Sequence, residues 1–294
     1  MRRPPTEVQE WLKSGSFLEY QDYKIFYKDS GNKNSEPIVF LHGYPTCSWD
    51  YVYLWEKFAD YRRITLDFLG FGFSSKPRDH EYSIKEQTEL LLRLLRLLKI
   101  KKIKIVAHDY AVSVAQELLA RELNSELDIT LQSVVFLNGG LIPGAHRPRL
   151  IQTLLNSAIG PVLVQLMSKF SFQKSFSRVF GPETKPNLAE IDSLWYLLNY
   201  PGRSRNSDKM LHYMQERVQN KDRWVGALTA TKIPLKLIDG IEDPVSGGHL
   251  VDAYEKIVPN ADTIRLPGIG HYPQIEAFDD VARIILSWRR GGYA

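Results

Sequence analysis

Short apolar runs that read as buried strands alternate with amphipathic helices along most of this chain. That alternation restricts the possible folds more than any other feature. "YKIFYKDSG", "PIVFLHGYP", "RRITLDFLGFGFS", the stretch with Ile103, Ile105 and Val106, "LQSVVFLNGG", "IPLKLIDGIEDP" and "DTIRLPGIGHYP" read as strands. "YSIKEQTELLLRLLRLL", with Ser83 as N-cap, reads as a helix, as do residues 112–119, "LVDAYEKIV" and "FDDVARIILSWRR". The pattern predicts a mainly parallel sheet covered by helices on both faces, an α/β fold. Between residues 146 and 228 the pattern changes. "LIQTLLNSAIGPVLVQLMSKF" and "SDKMLHYMQERVQNKDRW" are helical, and no strong strand interrupts them. The expectation is a core of residues 1–145 and 229–294 with a helical cap, 146–228, inserted after "FLNGGLIPG". Such a cap would sit on the carboxyl edge of the sheet, where α/β proteins bind ligands.

Composition narrows the function classes. The 294 residues are 44% hydrophobic and 24% charged, as in a globular protein with a large core. The net charge of +4 balances 38 basic against 34 acidic residues. The dense basic run "KIKKIKI", residues 99–105, interleaves lysine with isoleucine as a strand edge does, so no nucleic-acid partner is expected. The single cysteine, Cys47, can form no internal disulfide, which suits a reducing, cytoplasmic setting. No stretch is long and apolar enough to be an integral membrane segment, and "MRRPPTEVQEW" lacks the apolar core of a signal peptide. The sequence leaves the oligomeric state open.

"IVAHDYAVSVAQELL", residues 105–119, places an acid, Asp109, where a strand turns at once into a helix. In a parallel sheet such a turn lifts one side chain over the sheet. This is the nucleophile elbow, usually G-x-S-x-G, with small residues two before and two after the nucleophile because strand and helix nearly touch. Here the pentad is Ala107-His108-Asp109-Tyr110-Ala111, and no G-x-S-x-G occurs elsewhere. Taken alone, the pentad fits a helix N-cap as well as a nucleophile. Its context adds the rest of a site. His271 lies in the loop after the last strand, and nucleophile, acid and base then follow in the order this architecture requires. "DGIEDPVS" offers Asp243 as the acid that orients His271, with Glu242 as alternate, whereas Asp239 falls on the strand. In "FLHGYPTCSWD", Gly43 lets the backbone approach, so the Tyr44 N–H, with that of Tyr110, can form an oxyanion hole.

"HGYP", "LDFLGFGFSSKP", "AHDY" and "GHYPQIE" resemble the α/β-hydrolase superfamily, in its epoxide hydrolase and haloalkane dehalogenase branch, where the nucleophile is Asp. "SIKEQ", "AQELL", "NGG", "HRP", "FGP", "DRWVGAL" and "HYPQ" resemble an animal member of that branch, so the likeness runs from about residue 15 to 288. The resemblance implies an α/β-hydrolase fold with an inserted cap, an ester intermediate on Asp109, and no metal or organic cofactor. Two positions depart from the common pattern: Tyr110 stands where Trp is usual, and Ala111 where Gly is usual. In dehalogenases of this kind Tyr110 and Tyr44 would be the halide-binding positions. In epoxide hydrolases cap tyrosines hold the epoxide oxygen, and Tyr213 matches one of them, with Tyr196 or Tyr200 as weaker matches for the second. Trp49 and Phe170 join Tyr213 as expected substrate contacts. The apolar cap residues Leu163, Val164, Leu166, Met167 and Phe170 suggest a small lipophilic substrate, or pack the cap on the sheet. Epoxide hydrolysis leads. An esterase, lactonase or dehalogenase is the alternative among enzymes, and a non-catalytic ligand-binding or interaction protein is the alternative outside them.

Overall fold

The computed structural model describes residues 4–201 and 206–288. Its sheet is built from β1 (Ser16–Tyr20), β2 (Tyr23–Asp29), β3 (Pro37–Leu41), β4 (Arg62–Leu66), β5 (Lys102–Ala107), β6 (Thr130–Phe136), β7 (Leu235–Gly240) and β8 (Thr263–Leu266). The spatial order is β1-β2-β4-β3-β5-β6-β7-β8. β1 and β2 run antiparallel to their neighbours, and every pairing from β4 across to β8 is parallel. Side chains alternate across the pleat, so each central strand feeds two cores. Val39 and Leu41 of β3 join the core on one face, and Ile38 and Phe40 join the core on the other. Burial on both faces explains why these strands read as nearly continuous apolar runs.

The flanking helices follow the expected punctuation. Ser83 caps the helix Ile84–Leu97 by accepting from the Glu86 N–H. The lysines of residues 99–105 lie at the start of the central strand β5, where Lys99, Lys101 and Lys102 are exposed and Lys104 pairs with Glu36 at 2.6 Å. Two elements carry no clear signal in the sequence, the helix Thr6–Lys13 and strand β1. β1 is the sheet's outer edge and buries only Leu18, which leaves little hydrophobic alternation to read.

After β6 the chain leaves the sheet and forms the helices Leu150–Leu155, Gly160–Leu166, Lys169–Phe176, Leu188–Leu198, Ser207–Met210 and Tyr213–Gln219. The next helix, Lys221–Ala230, packs along Tyr110–Leu123. Its Trp224 Nε1 donates to Glu117 of that helix at 2.9 Å. It therefore belongs to the cover of the sheet, and the expected boundary at residue 228 falls inside it.

Candidate active site

The elbow is built by close backbone approach. Asp109 has φ of 44° and ψ of −101°, in the half of the map that L-residues rarely occupy, and such a residue costs about 1–3 kcal/mol unless its surroundings impose it. The surroundings do. The Asp109 N–H donates to Asn138 O at 2.8 Å. A methyl on Gly43 would come within 2.7 Å of the Asp109 Cβ, and one on Gly139 within 2.9 Å of its Cα. These two glycines are what the turn requires of its neighbours. Ala107 and Ala111 are both fully buried beside it, so Ala in place of Gly is accommodated.

The carboxylate points into the site. Its Oδ2 accepts from the Tyr44 N–H at 3.0 Å, and its Oδ1 stands 4.0 Å from His271 Nε2. Tyr110 opens the helix Tyr110–Leu123, so its N–H is one of the helix's unspent first-turn donors. On the other side of the imidazole, His271 Nδ1 lies 2.6 Å from Asp243 Oδ2. Asp243 is buried and also accepts from Val245 N, Ser246 N, Ser246 Oγ and Asn138 Nδ2. Glu242, the alternate, is exposed. Asp239 lies on β7, buried, with neither oxygen bonded. The chain thus brings Asp109, His271 and Asp243 together as expected.

Charges reinforce this order. Burial works against ionisation of Asp243, but His271 and the surrounding donors outweigh it and lower its pKa to about 2. Burial likewise opposes a charge on His271, but Asp243 first and Asp109 after it raise its pKa to about 9. Two further histidines are neutral. His108 is held down to about 3 by burial and then by His271, and its Nε2 donates to the His271 carbonyl at 2.8 Å. His42 falls to about 4 by burial, donates from Nδ1 to Gly43 O at 2.9 Å and accepts from Phe68 N at 3.1 Å. The His271 loop is pinned by Glu276, whose carboxylate accepts from the N–H groups of Gly181, Gly270 and Tyr272. The sequence alone assigns no role to Asn138, His108, His42 or Glu276. "NGG", "AHDY", "LHGY" and "GHYPQIE" contain them, but only the neighbouring residues suggest chemistry.

Above the carboxylate lies a cavity of about 330 Å³. Asp109, His271 and Tyr44 are among its lining residues. The cap supplies Leu155, Leu163, Met167, Phe172 and Phe176, and Leu166 stands at its open side. Four expectations are corrected here. Phe170 is 74% exposed, and Phe172 and Phe176, four apart on one face of the same helix, line the cavity instead. Trp49 is buried in the core below, away from the cavity lining. Val164 takes the second of the two roles open to it and is fully buried in packing. Tyr196 and Tyr200 are half-buried, and the helix turn places Leu198 on the cavity in their stead. Tyr213 is buried and off the cavity lining, with its ring 5.0 Å from that of Tyr110 and 6.3 Å from that of Tyr44. Its hydroxyl has no hydrogen-bond partner. It begins its short helix, and its ring packs against those of Tyr44 and Tyr110 close enough for the Asp109 charge to reach its hydroxyl, although it does not line the cavity.

Among the described residues, no helix is long and apolar enough to cross a membrane, and no cluster of His, Cys, Asp and Glu is placed to hold a metal. A family model described as the alpha/beta hydrolase fold matches residues 36–278. The chain is 39% identical over 288 residues to the mesoderm-specific transcript protein of Mus musculus, covering 93% of this chain and 86% of that one. It is 35% identical over 280 residues to the putative hydrolase LipZ of Mycobacterium tuberculosis, covering 95% and 97%. Among solved structures, the haloalkane dehalogenase DatA of Agrobacterium tumefaciens superposes with a TM-score of 0.76 at 19% identity, over 93% of this chain and 95% of that one. This protein belongs to the alpha/beta hydrolase fold family.

Proposed function

We propose that the protein is a hydrolase in which Asp109 attacks a saturated carbon of a small lipophilic substrate and forms a covalent ester. The observation that carries this reading is the Asp109 carboxylate at the elbow, bonded by the Tyr44 N–H and facing His271 Nε2 across 4.0 Å. An N-cap side chain would bond back to its own helix, and Asp109 does not. An epoxide is the favoured electrophile. One Asp109 oxygen bonds the carbon, the strained C–O bond breaks, and the released alkoxide takes a proton. Two tyrosines line the space above Asp109, Tyr44 and Tyr272, and because the Tyr272 hydroxyl donates to the Tyr44 carbonyl at 3.4 Å, Tyr44 is the phenol free to give it. A halide leaving group is less well served, since Tyr110 turns its ring toward Phe68 and Phe71 and away from the cavity.

The second step follows from the charges. In the free enzyme Asp109 and Asp243 together hold the proton on His271. Esterification removes the Asp109 charge, so the imidazolium loses one of its carboxylate partners and gives up its proton more readily, and that proton returns by way of solvent to the Tyr44 phenolate. The neutral imidazole then takes a proton from water, and the hydroxide attacks the ester carbonyl. The oxyanion lies against the N–H groups of Tyr44 and Tyr110, with a contribution of about 3 kcal/mol per donor in comparable sites. His271→Gln should therefore be alkylated and not released. Incubated with an aryl epoxide, it should gain one substrate mass on the peptide containing Asp109. A wild type that turns over the epoxide while the variant acquires no mass there rules the mechanism out.

A further inference from the structure

Arg217 is buried in the cap helix Tyr213–Gln219, yet its guanidinium meets no carboxylate. Nη2 donates to the backbone carbonyl of Asp109 at 2.7 Å, and Nε donates to Ser113 Oγ at 2.7 Å. The third nitrogen, Nη1, has no partner. The guanidinium carbon lies 4.5 Å from the centre of the Tyr213 ring, over its face. The chain makes room for this group, since a methyl on Gly140 would stand 2.4 Å from Nη1. A buried cation is costly unless charge of the opposite sign is near. The groups around it are Asp109, Ser113 and Gly140 from the core, His146 from the start of the cap, and Tyr213 on its own helix. The adjacent acid in the chain, Glu216, turns away to accept from the Ile84 N–H. His146 has neither ring nitrogen bonded and is held down to about 4, by burial first and by Arg217 next, so it adds no compensating charge. Among the groups around it the one acid is Asp109, whose backbone carbonyl it holds.

We propose that Arg217 is a positioning residue of this site: its fork ties the cap to the backbone of the strained elbow, and its fixed positive charge offsets the carboxylate charge gathered around Asp109. The proposal rests on the reading of Asp109 as nucleophile. In the free enzyme Asp109 and Asp243 face His271 and Arg217. In the ester state Asp243 and Arg217 balance without a proton on His271, so a permanent cation behind the elbow favours the neutral imidazole when a base is needed. The other titratable groups that interact with His271 are His108 and His146, both held neutral, Glu276, and the buried Asp50 and Asp239, whose pKa values burial pushes up.

Titration of His271 by NMR on isotopically labelled full-length protein tests the charge without turnover. In Arg217→Gln the midpoint should rise, by roughly half a pH unit or more, as the loss of a cation behind the elbow implies in a medium of effective dielectric about 20. Arg217→Lys keeps the charge and loses the fork, so it should titrate as the wild type does. Placed in the His271→Gln background, Arg217→Lys should slow alkylation of Asp109 by an aryl epoxide by about tenfold or more. An unmoved midpoint in folded Arg217→Gln overturns the charge role. Alkylation of the Lys variant at the parent rate overturns the anchoring role, and this arm stands if the Gln variant fails to fold. If His271→Gln itself captures no epoxide, the proposed reaction is wrong, while the titration still decides what the Arg217 charge does.

Discussion

Asp243 and Glu242 are adjacent acids after the same strand, and the backbone decides between them. β7 ends at Gly240, and the turn that follows carries Asp243 inward onto Val245 N and Ser246 N, while Glu242 stays in solvent. Asp243→Asn should keep the hydrogen-bond count near His271 but force the wrong tautomer. Turnover should fall by roughly three to four orders of magnitude, as for the equivalent change in a well-studied triad. Glu242→Gln should leave kcat within about twofold. Equal losses in the two variants would refute the assignment. Loop position could narrow the acid to these two because the order of strands fixes where it must come from. No such rule fixes a cap tyrosine. Tyr213 matches a motif position, but its ring direction depends on how the cap helix seats against Tyr44 and Tyr110. Its buried hydroxyl lacks a partner, so Tyr213→Phe should leave the melting temperature unchanged or raised and activity intact. A loss of activity there would restore Tyr213 as an acid.

At the scale of elements, most of the core was legible because its strands and helices have a strong period and a marked end, such as the Ser83 cap or the glycines around the elbow, with the helix Thr6–Lys13 and β1 as the exceptions. The cap was legible only as helical. Its helices are short, and each divides its apolar residues between the sheet, the cavity and solvent. In the helix Lys169–Phe176, Phe170 and Phe172 are two residues apart and face nearly opposite directions. Phe172 stacks on Phe176 with ring centres 5.1 Å apart and lines the cavity. Phe172→Ala should therefore cost about 3 kcal/mol of stability and raise KM for a lipophilic substrate, measured by denaturant melts and steady-state kinetics. Phe170→Ser should leave both unchanged, with stability within about 0.5 kcal/mol. The reverse ranking would mean that this helix is rotated about its axis.

At the scale of the whole molecule, His271 is also a joint between the core and the cap. The His271 N–H donates to Val179 O of the cap at 2.7 Å, and its carbonyl accepts from His108. Its proton is therefore linked to the stability of the fold. Unfolded, His271 returns to its ordinary value of 6.5, and folded it is held at about 9. Below 6.5 both states carry the proton, and the full stabilisation from the raised pKa is present. As pH rises from 6.5 the unfolded chain releases the proton first, so this contribution declines, and it is lost once pH passes about 9. Its full size is about 3 kcal/mol, since a proton held one pH unit more tightly is worth about 1.4 kcal/mol. Other groups pull in other directions. His42, His108 and His146, held neutral, weaken the fold as pH falls below 6.5. Asp50 and Asp239, pushed up by burial, weaken it at neutral pH. His42 is independent of His271, but the other four groups feel its charge, so the comparison of the wild type with His271→Gln is read from how the gap changes with pH and not from its absolute size. Urea unfolding of both proteins at about pH 6, 7.5 and 9.5 should give a stability gap that is widest at pH 6, narrower at 7.5 and mostly closed at 9.5. A gap of constant size across that range would mean that the two carboxylates do not hold a proton on His271 in the free enzyme. The switch from imidazolium to base on esterification would then have no source.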